Sequence, residues 1–304
     1  MKNFLTIATA IAALLACRIG GADDDTPEPQ DTPTITQSWS QETGYARPYW
    51  VHVPDPPAPK IKPTFPVAIF LHGNGGNAQG LRDMVFRRYP TIAREFITVF
   101  PQGYLKSWNI VSERSRADDR GFVEAIVRKL AERDDVDKDN FTVMGISNGA
   151  ALANQIAIES QLPHIKNIVT SVSPLNAFQH DGKHFKAKGD DNSYDEIAEP
   201  RTGIRILNIS GTDDRLVPYT GGPSKAIPAK GGKLPFVDAE VSAFLWATHL
   251  GHEGKQLAAP TRTDGQLETF SYLDGDVVHL KANDRGHNAT AALTESLLLE
   301  FLRP

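Results

Sequence analysis

The sequence contains a single cysteine, Cys17, so no disulfide can form within the chain. It also has no excess of basic residues: the net charge is -5, and the two signs are mixed along the chain. Phosphate backbones are bound by clustered lysine and arginine, so nucleic acid is not an expected partner. The 304 residues, 40% of them apolar, suffice for one large domain that its own hydrophobic core stabilises.

The N-terminus has the composition of an export signal. Lys2 supplies a positive charge, and residues 4–16 form an uncharged, mostly apolar run that is too short to span a bilayer. The run ends in Leu-Leu-Ala directly before Cys17, which resembles the lipobox at which bacterial lipoproteins are cleaved and acylated. We therefore expect residues 1–16 to be a signal peptide and Cys17 to carry a lipid. The alternative is an ordinary secretory peptide with an incidental cysteine, and both interpretations predict export.

Residues 17–38 are expected to be a spacer between this lipid anchor and the folded domain. They are rich in Pro, Asp, Thr and Gly and poor in large apolar side chains, so they cannot bury enough surface to fold. The catalytic domain is then expected to cover residues 39–304.

From Trp39 onward, strand-like and helix-like stretches alternate. Strands are expected near residues 45–53, 65–71, 96–100, 141–146, 167–172, 204–209 and 267–272. Helices are expected near residues 122–131, 148–159, 237–250 and 290–302. Such alternation predicts an α/β fold with a mostly parallel sheet covered by helices on both faces. Ligands in these folds bind beyond the carboxyl ends of the strands, so any chemistry is expected in the loops that follow strands.

One such loop contains the pattern Gly-Ile-Ser-Asn-Gly at residues 145–149. It lies between an apolar strand-like run and a run of helix-forming residues. A serine on a sharp strand-to-helix turn projects its hydroxyl outward, and the flanking glycines leave room for the turn. The pattern predicts Ser147 as a nucleophile rather than as a simple helix cap.

A serine hydroxyl needs a base to take its proton and a third group to orient that base. His287 lies in a loop before the last helical stretch, and Asp213 and Asp214 follow the strand-like run at residues 204–209. The residues thus occur in the order serine, aspartate, histidine, and either aspartate satisfies it. The other histidines, apart from His72, are expected to be surface or packing residues.

Backbone N–H groups that stabilise the carbonyl oxygen as it gains negative charge are also predicted. Asn148, directly after the nucleophile, supplies one N–H, and Asn74 in the loop His-Gly-Asn-Gly-Gly-Asn at residues 72–77 supplies the other. A flexible turn is the alternative interpretation of that loop.

Several separated motifs resemble those of the polyhydroxybutyrate depolymerase and the feruloyl or acetylxylan esterase family of α/β-hydrolases. They are HGNGGN at 72–77, FPQG at 100–103, SWN at 107–109, DDRGF at 118–122, GISNGA at 145–150 and GTDDRLVPY at 211–219. The resemblance implies the α/β-hydrolase fold and selects Asp214 as the acid of the triad. It also draws attention to Trp108, Asp119 and Trp246, which we expect to be packing or loop-pinning residues.

The chain departs from the family pattern at three places. It cannot form the disulfides that many secreted relatives have near the active site, and His287 is followed by Asn-Ala-Thr instead of Trp-Pro. Residues 176–200 are long and polar, and we expect them to form a surface insertion. His180, Asp181 and His184 within it could suggest a metal site, but a solvated surface is favoured and no metal is predicted.

The sequence therefore predicts an exported, lipid-anchored serine carboxylic ester hydrolase that works through an acyl-enzyme and needs no cofactor. The resemblance implies polyhydroxyalkanoate oligomers, feruloyl esters or acetylated xylan as the ester substrate. Two alternatives are a peptidase of the same fold and a tethered binding protein on an inactive hydrolase scaffold.

Overall fold

A ten-stranded sheet forms the centre of the fold in the computed structural model, which describes residues 32–55 and 64–303. The predicted signal peptide and Cys17 lie outside the described residues. The strands of this sheet are β1 (Thr34–Trp39), β2 (Glu42–His52), β3 (Phe65–Leu71), β4 (Ile97–Pro101), β5 (Val136–Ile146), β6 (Ile165–Ser171), β7 (Arg205–Gly211), β10 (Arg262–Asp264), β11 (Leu267–Tyr272) and β12 (Val277–Ala282). Two further strands, β8 (Gly222–Ala229) and β9 (Gly232–Phe236), lie outside it. The helices are α1 (Ala78–Arg88), α2 (Pro90–Glu95), α3 (Asp119–Ala131), α4 (Asn148–Glu159), α5 (Ala239–His249) and α6 (Glu295–Leu302).

The sheet has the order β1-β2-β4-β3-β5-β6-β7-β12-β11-β10, and β8 pairs with β9 in a separate hairpin. Its six central strands, from β4 to β12, are parallel, whereas the pairs β1–β2 and β2–β4 on one side and β12–β11 and β11–β10 on the other are antiparallel. The carboxyl ends of the central strands therefore meet at one edge. This arrangement places the loops after β3, β4, β5, β7 and β12 close together.

Helices cover both faces of the sheet. Along β3, Val67, Ile69 and Leu71 face one core, while Ala68 and Phe70 face the other, as the two-residue period of a strand requires. The first core is completed by apolar side chains of α3, α4 and α5, and the second by those of α1, α2 and α6. The prediction of a mostly parallel sheet between two layers of helices is confirmed.

The folded domain begins earlier than the sequence predicted. Residues 34–38, which were assigned to the spacer, form β1 and pair with β2 in antiparallel register, from Thr34 opposite Pro48 to Trp39 opposite Glu42. β1 alternates partly buried and exposed residues, and its exposed residues are the polar Thr34, Thr36 and Ser38. Its composition therefore matched that of a spacer, and its partner strand supplies the stabilisation.

The prediction of a surface insertion at residues 176–200 is wrong for several side chains of that segment, among them Gln179, Phe185 and Tyr194. Phe185 and Tyr194 are buried in the first core, and Gln179 is fully buried with its side-chain amide donating to the Ala151 carbonyl at 2.8 Å. Asn192 Nδ2 donates to Asn109 Oδ1 at 2.7 Å and the Tyr194 hydroxyl donates to the Ile110 carbonyl at 2.9 Å, so the segment packs onto the domain. Within the described residues no helix is both long and apolar enough to cross a membrane.

Candidate active site

Ser147 occupies the turn between β5 and α4. Its φ of 54° and ψ of -117° lie in a region that non-glycine residues seldom adopt, and such strain persists where the surrounding structure over-determines it. The Ser147 N–H donates to the Ser171 carbonyl at the end of β6, and the Ser147 carbonyl accepts from Ala150 and Ala151 in the first turn of α4. The backbone is thus held on both sides of the serine.

Close packing of α4 against β3 requires a glycine at position 149. A Cβ there would lie 2.3 Å from the Leu71 carbonyl oxygen and 2.6 Å from that of His72, well inside van der Waals contact. Gly149 therefore allows the start of α4 to touch the loop after β3, which places Ser147 beside that loop.

His287 connects Ser147 to Asp214. Its Nε2 lies 2.9 Å from Ser147 Oγ, and its Nδ1 lies 2.7 Å from Asp214 Oδ2. Because a carboxylate only accepts, the proton of the neutral imidazole resides on Nδ1, and Nε2 is free to accept the serine proton. The Asp214 side chain is almost fully buried, while that of His287 is 27% exposed. The arrangement can move a proton from the serine hydroxyl to the imidazole.

The two candidate aspartates have different surroundings. Asp214 Oδ1 accepts from the N–H groups of Leu216 and Val217 at 2.8 and 3.0 Å, which leaves Oδ2 directed at the imidazole. Asp213 is exposed, and its carboxylate accepts only a 3.3 Å bond from Thr212 Oγ1 among the described residues. The geometry therefore brings Asp214, and not Asp213, to His287.

The segment after His287 is anchored to the rest of the domain by polar contacts that the sequence did not indicate. The Arg88 guanidinium at the end of α1 donates to the carbonyls of Thr290, Ala291 and Leu293. Thr290 Oγ1 also lies 2.6 Å from Ser171 Oγ at the end of β6. These bonds join the histidine loop to the strand that supports Ser147.

The two N–H groups predicted to bind an oxyanion belong to segments that both adjoin Ser147. Asn148 is the first residue of α4, and the loop containing Asn74 approaches so closely that a Cβ on Gly73 would lie 3.6 Å from Ser147 Cβ. Among the described residues, neither N–H donates a hydrogen bond to another protein atom. Both donors are therefore available for a ligand oxygen.

His72 holds the loop of Asn74 as a neutral ring. Its Nε2 accepts from the Gly103 N–H at 3.1 Å, and its Nδ1 donates to the Gly73 carbonyl at 2.8 Å. Burial lowers the pKa of His72. The Gly73 carbonyl belongs to the same peptide group as the Asn74 N–H, so the bond from His72 also fixes the direction of that N–H.

The tryptophans and the aspartate singled out by the resemblance are buried. Trp108 is fully buried, and its indole N–H donates to the His72 carbonyl at 2.7 Å. Trp246 packs against Phe185, with 4.4 Å between the centroids of the two rings. Asp119 pairs with the buried guanidinium of Arg47 at 2.5 Å, but burial still raises the pKa of Asp119. Their contacts agree with roles in packing and in holding loops.

The histidines of residues 176–200 do not assemble a metal site. His180 is buried edge-on against Phe185, its Nδ1 accepting from the Gly182 N–H, and His184 Nδ1 lies 3.8 Å from Asp181 Oδ2. No group of three or more histidine, cysteine, aspartate or glutamate side chains within the described ranges is arranged to hold a metal ion.

Glu113 is a site residue that the sequence did not indicate. Its carboxylate bonds to the side chain of Asn148 at 3.1 Å, and burial raises the pKa of Glu113. It lies in the polar stretch Ser-Glu-Arg-Ser with no motif around it, so only the folded chain reveals this contact.

Comparison with known proteins agrees with this architecture. No protein-family model matches the chain. The protein named "Putative esterase NocK" from Nocardia uniformis subsp. tsuyamanensis is 27% identical over 261 residues, which are 80% of this chain and 71% of that protein. The structure of an acetyl xylan esterase from Aspergillus awamori aligns with a TM-score of 0.53 and 14% identity, over 84% of this chain and 93% of that one. The sheet order, the strand-to-helix turn at Ser147 and this structural similarity together show that the chain has the α/β-hydrolase fold.

Proposed function

We propose that the protein is a serine carboxylic ester hydrolase with Ser147 as nucleophile, His287 as general base and Asp214 as the residue that orients the base. The observation that carries the proposal is the unbroken hydrogen-bonded chain from Ser147 Oγ through the imidazole to the Asp214 carboxylate. The similarity to proteins named as esterases supports the same reaction class.

The reaction proceeds through an acyl-enzyme. Ser147 Oγ adds to the ester carbonyl while His287 Nε2 takes the hydroxyl proton, and the N–H groups of Asn148 and Asn74 bind the resulting oxyanion. The tetrahedral intermediate collapses, and the alcohol leaves with the proton returned by His287. Water then attacks the acyl-enzyme with His287 again as base, which releases the acid and restores the serine. Asp214 stabilises the imidazolium at both stages.

For the substrate, we propose esters of polymers: polyhydroxyalkanoate oligomers, or feruloyl and acetyl esters of plant cell-wall polysaccharide. The sequence motifs support this range, and the acetyl xylan esterase with the similar structure supports its acetyl-ester member. Ser147 and His287 are both partly exposed to solvent, as access for a polymer-bound ester requires.

Hydrolysis of p-nitrophenyl acetate and butyrate tests the mechanism. We expect Ser147→Ala and His287→Ala to reduce kcat/KM by about 10⁴-fold or more, because the attacking group or its base is removed. Asp214→Asn is expected to lower it by about 10³-fold or more, because the amide no longer enforces the productive tautomer.

Asp213→Asn is the matched control, since it removes the neighbouring carboxylate, which lies away from the imidazole. It is expected to retain wild-type kcat/KM within about threefold. Equal losses in the two asparagine variants would contradict the assignment of Asp214. A wild-type protein inactive on every short ester would refute the esterase proposal and favour a binding protein, whereas cleavage of peptides alone would favour a peptidase.

We also propose that the protein is exported and anchored to the bacterial cell envelope by a lipid on Cys17. The support is the charged and apolar N-terminal run that ends at the lipobox-like sequence. Labelled palmitate is expected to be incorporated into the full-length protein and not into Cys17→Ser, with the wild type in the membrane fraction. Unlabelled protein in the culture medium would support the ordinary secretory peptide instead.

A further inference from the structure

Residues 107–113, which we call the Trp108 loop, contact both sides of the proposed oxyanion site. The Trp108 N–H donates to Asn148 Oδ1 at 2.7 Å, and its carbonyl accepts from Asn148 Nδ2 at 3.1 Å. The indole N–H donates to the His72 carbonyl at 2.7 Å, and the indole ring lies 4.8 Å from the His72 imidazole. The loop thus joins the start of α4 to the segment that contains Asn74.

The side-chain amide of Asn148 has all its hydrogen-bonding capacity satisfied. Its oxygen accepts from the Trp108 N–H and from Ser107 Oγ, and its nitrogen donates to the Trp108 carbonyl and to Glu113 Oε1 at 3.1 Å. An amide has two acceptor sites and two donor hydrogens, so no hydrogen-bonding site of this side chain is left free. Rotating the amide by 180° would place its NH₂ group against the Trp108 N–H and its oxygen against the Trp108 carbonyl and the Glu113 carboxylate. Only one orientation of the amide is therefore stable.

Glu113 is itself fixed by the backbone of the same loop. Its Oε2 accepts from the N–H groups of Ile110 and Val111 at 2.8 and 2.7 Å, which leaves Oε1 for Asn148. Charge-assisted hydrogen bonds to a partly buried carboxylate are stronger than neutral ones. Glu113 therefore holds the side chain of Asn148, the residue whose backbone N–H is a proposed oxyanion donor.

We propose that Glu113 is a positioning residue of the oxyanion site, which acts through the Asn148 side chain to hold the Asn148 N–H in its productive direction. The inference rests on the proposed esterase function. Glu113 does not touch the reacting atoms in this role. It fixes the first turn of α4, so the donor needs no reorganisation when negative charge develops on the substrate oxygen.

The test is Glu113→Gln, measured with p-nitrophenyl acetate and with a trifluoromethyl ketone that forms an oxyanion with Ser147. The glutamine amide must direct its NH₂ group either at Asn148 Nδ2 or at the two backbone N–H groups, so one contact is lost. We expect kcat to fall about tenfold, part of the loss that follows removal of an oxyanion donor, with KM changed less than about twofold. The inhibition constant of the ketone is expected to rise in parallel with the loss of kcat.

Glu124→Gln is the matched control. Glu124 is a buried glutamate on α3 whose carboxylate pairs with Arg120 and Arg128, and among the described residues it makes no hydrogen bond or ion pair with the Trp108 loop. It is expected to lose stability while its kcat and ketone affinity stay within about twofold of wild type. Rates are normalised to the concentration of sites that diethyl p-nitrophenyl phosphate inactivates, so a smaller folded fraction does not imitate a positioning effect.

Wild-type kcat and ketone affinity in Glu113→Gln would overturn the role of Glu113 and leave the esterase assignment intact. If that variant does not fold, Glu113→Asp replaces it, because its shorter side chain reaches only one of its two sets of partners. An intermediate loss of kcat in Glu113→Asp supports the proposal, and full activity overturns it. Absence of hydrolytic activity in the wild-type protein would refute both the proposed esterase function and the positioning role of Glu113.

Discussion

At the scale of single residues, backbone packing constrains this site as strongly as the reactive side chains do. Ser147 has a left-handed φ, and Asp214 uses one carboxylate oxygen to bind backbone and the other to face His287. Gly211, at the end of β7, lies against the backbone of the histidine loop. A Cβ there would lie 2.2 Å from the Arg285 carbonyl oxygen and 2.6 Å from that of Gly286. Its lack of a side chain lets the loop approach Asp214.

We expect Gly211→Ala to lower kcat/KM on p-nitrophenyl acetate by about 10²-fold. The added methyl group displaces the loop that contains His287, and a shift of about 1 Å in a reacting group costs a factor of this size. Gly286→Ala is the control in the same loop, because its Cβ would lie at an ordinary 3.6 Å from the Asp213 carbonyl oxygen. An alanine at 211 with wild-type kcat/KM would show that the loop position is not critical.

At the scale of the elements, the histidine loop depends on helices and strands that are distant in sequence. The four-residue 3-10 turn Ala289–Ala292 follows His287, and α6 begins at Glu295, later than the expected start near residue 290. The Thr294 side chain caps α6 by accepting from the Leu297 N–H. Arg88, at the end of α1, donates to the Ala291 carbonyl and to the Thr290 carbonyl, which also accepts from the Leu293 N–H within the turn.

We expect Arg88→Met to lower the free energy of unfolding by about 1–3 kcal/mol, because three carbonyls lose a charged donor. The loosened histidine loop is also expected to lower kcat by roughly a few-fold, because a modest misplacement of the base slows proton transfer. KM is expected to stay nearly unchanged. Urea unfolding and ester hydrolysis measure the two effects. Arg94→Met on α2 is the control, since among the residues that the structure describes Arg94 donates only to Thr91 at the surface. An Arg88→Met variant with wild-type stability and wild-type kcat would contradict the anchoring role.

At the scale of the whole molecule, buried hydrogen bonds join β7 and β12 of the sheet to the loop that follows β7. His279 on β12 is fully buried, with Nδ1 2.8 Å from Asn208 Oδ1 and Nε2 2.8 Å from the Tyr219 hydroxyl. Burial lowers the pKa of His279 to about 3. The folded protein therefore keeps this ring neutral under conditions in which the unfolded chain binds a proton.

The pKa of His279 makes stability depend on acidity. The ordinary pKa of histidine is 6.5, so the neutral His279 contributes fully to the free energy of unfolding above that pH. The contribution declines as the pH falls from 6.5 towards 3, because over this interval only the unfolded state gains the proton. The decline amounts to up to about 5 kcal/mol over that interval.

Urea unfolding between pH 7 and pH 4 is expected to show a weaker pH dependence for His279→Gln than for the wild type. The partly exposed His252 provides the control, as His252→Gln. Parallel curves for the wild type and His279→Gln would refute the prediction.

Much of the fold and the candidate site was predictable because the relevant signals are local. Apolar runs of the right length indicated β3, β5 and α4, and the turn between the last two indicated Ser147. By contrast, β12 was not recognised, because His279 interrupts its apolar pattern and is buried only through partners on β7 and in the loop after it. The burial of Phe185 and Tyr194 was missed for a similar reason, since each lies in a polar segment.

The sequence by itself determined the class of the fold, the order of serine, aspartate and histidine, and the N-terminal export pattern, because periodicity, chain order and composition are properties of neighbouring residues. Chain order left Asp213 and Asp214 open and the family resemblance only implied Asp214, whereas the tertiary structure places the Asp214 carboxylate against His287 and assembles the contacts of Arg88 and Glu113. These contacts join residues separated by 35 to more than 200 positions in the chain. No local pattern encodes them, because they exist only when the packing of helices on the sheet brings those segments together.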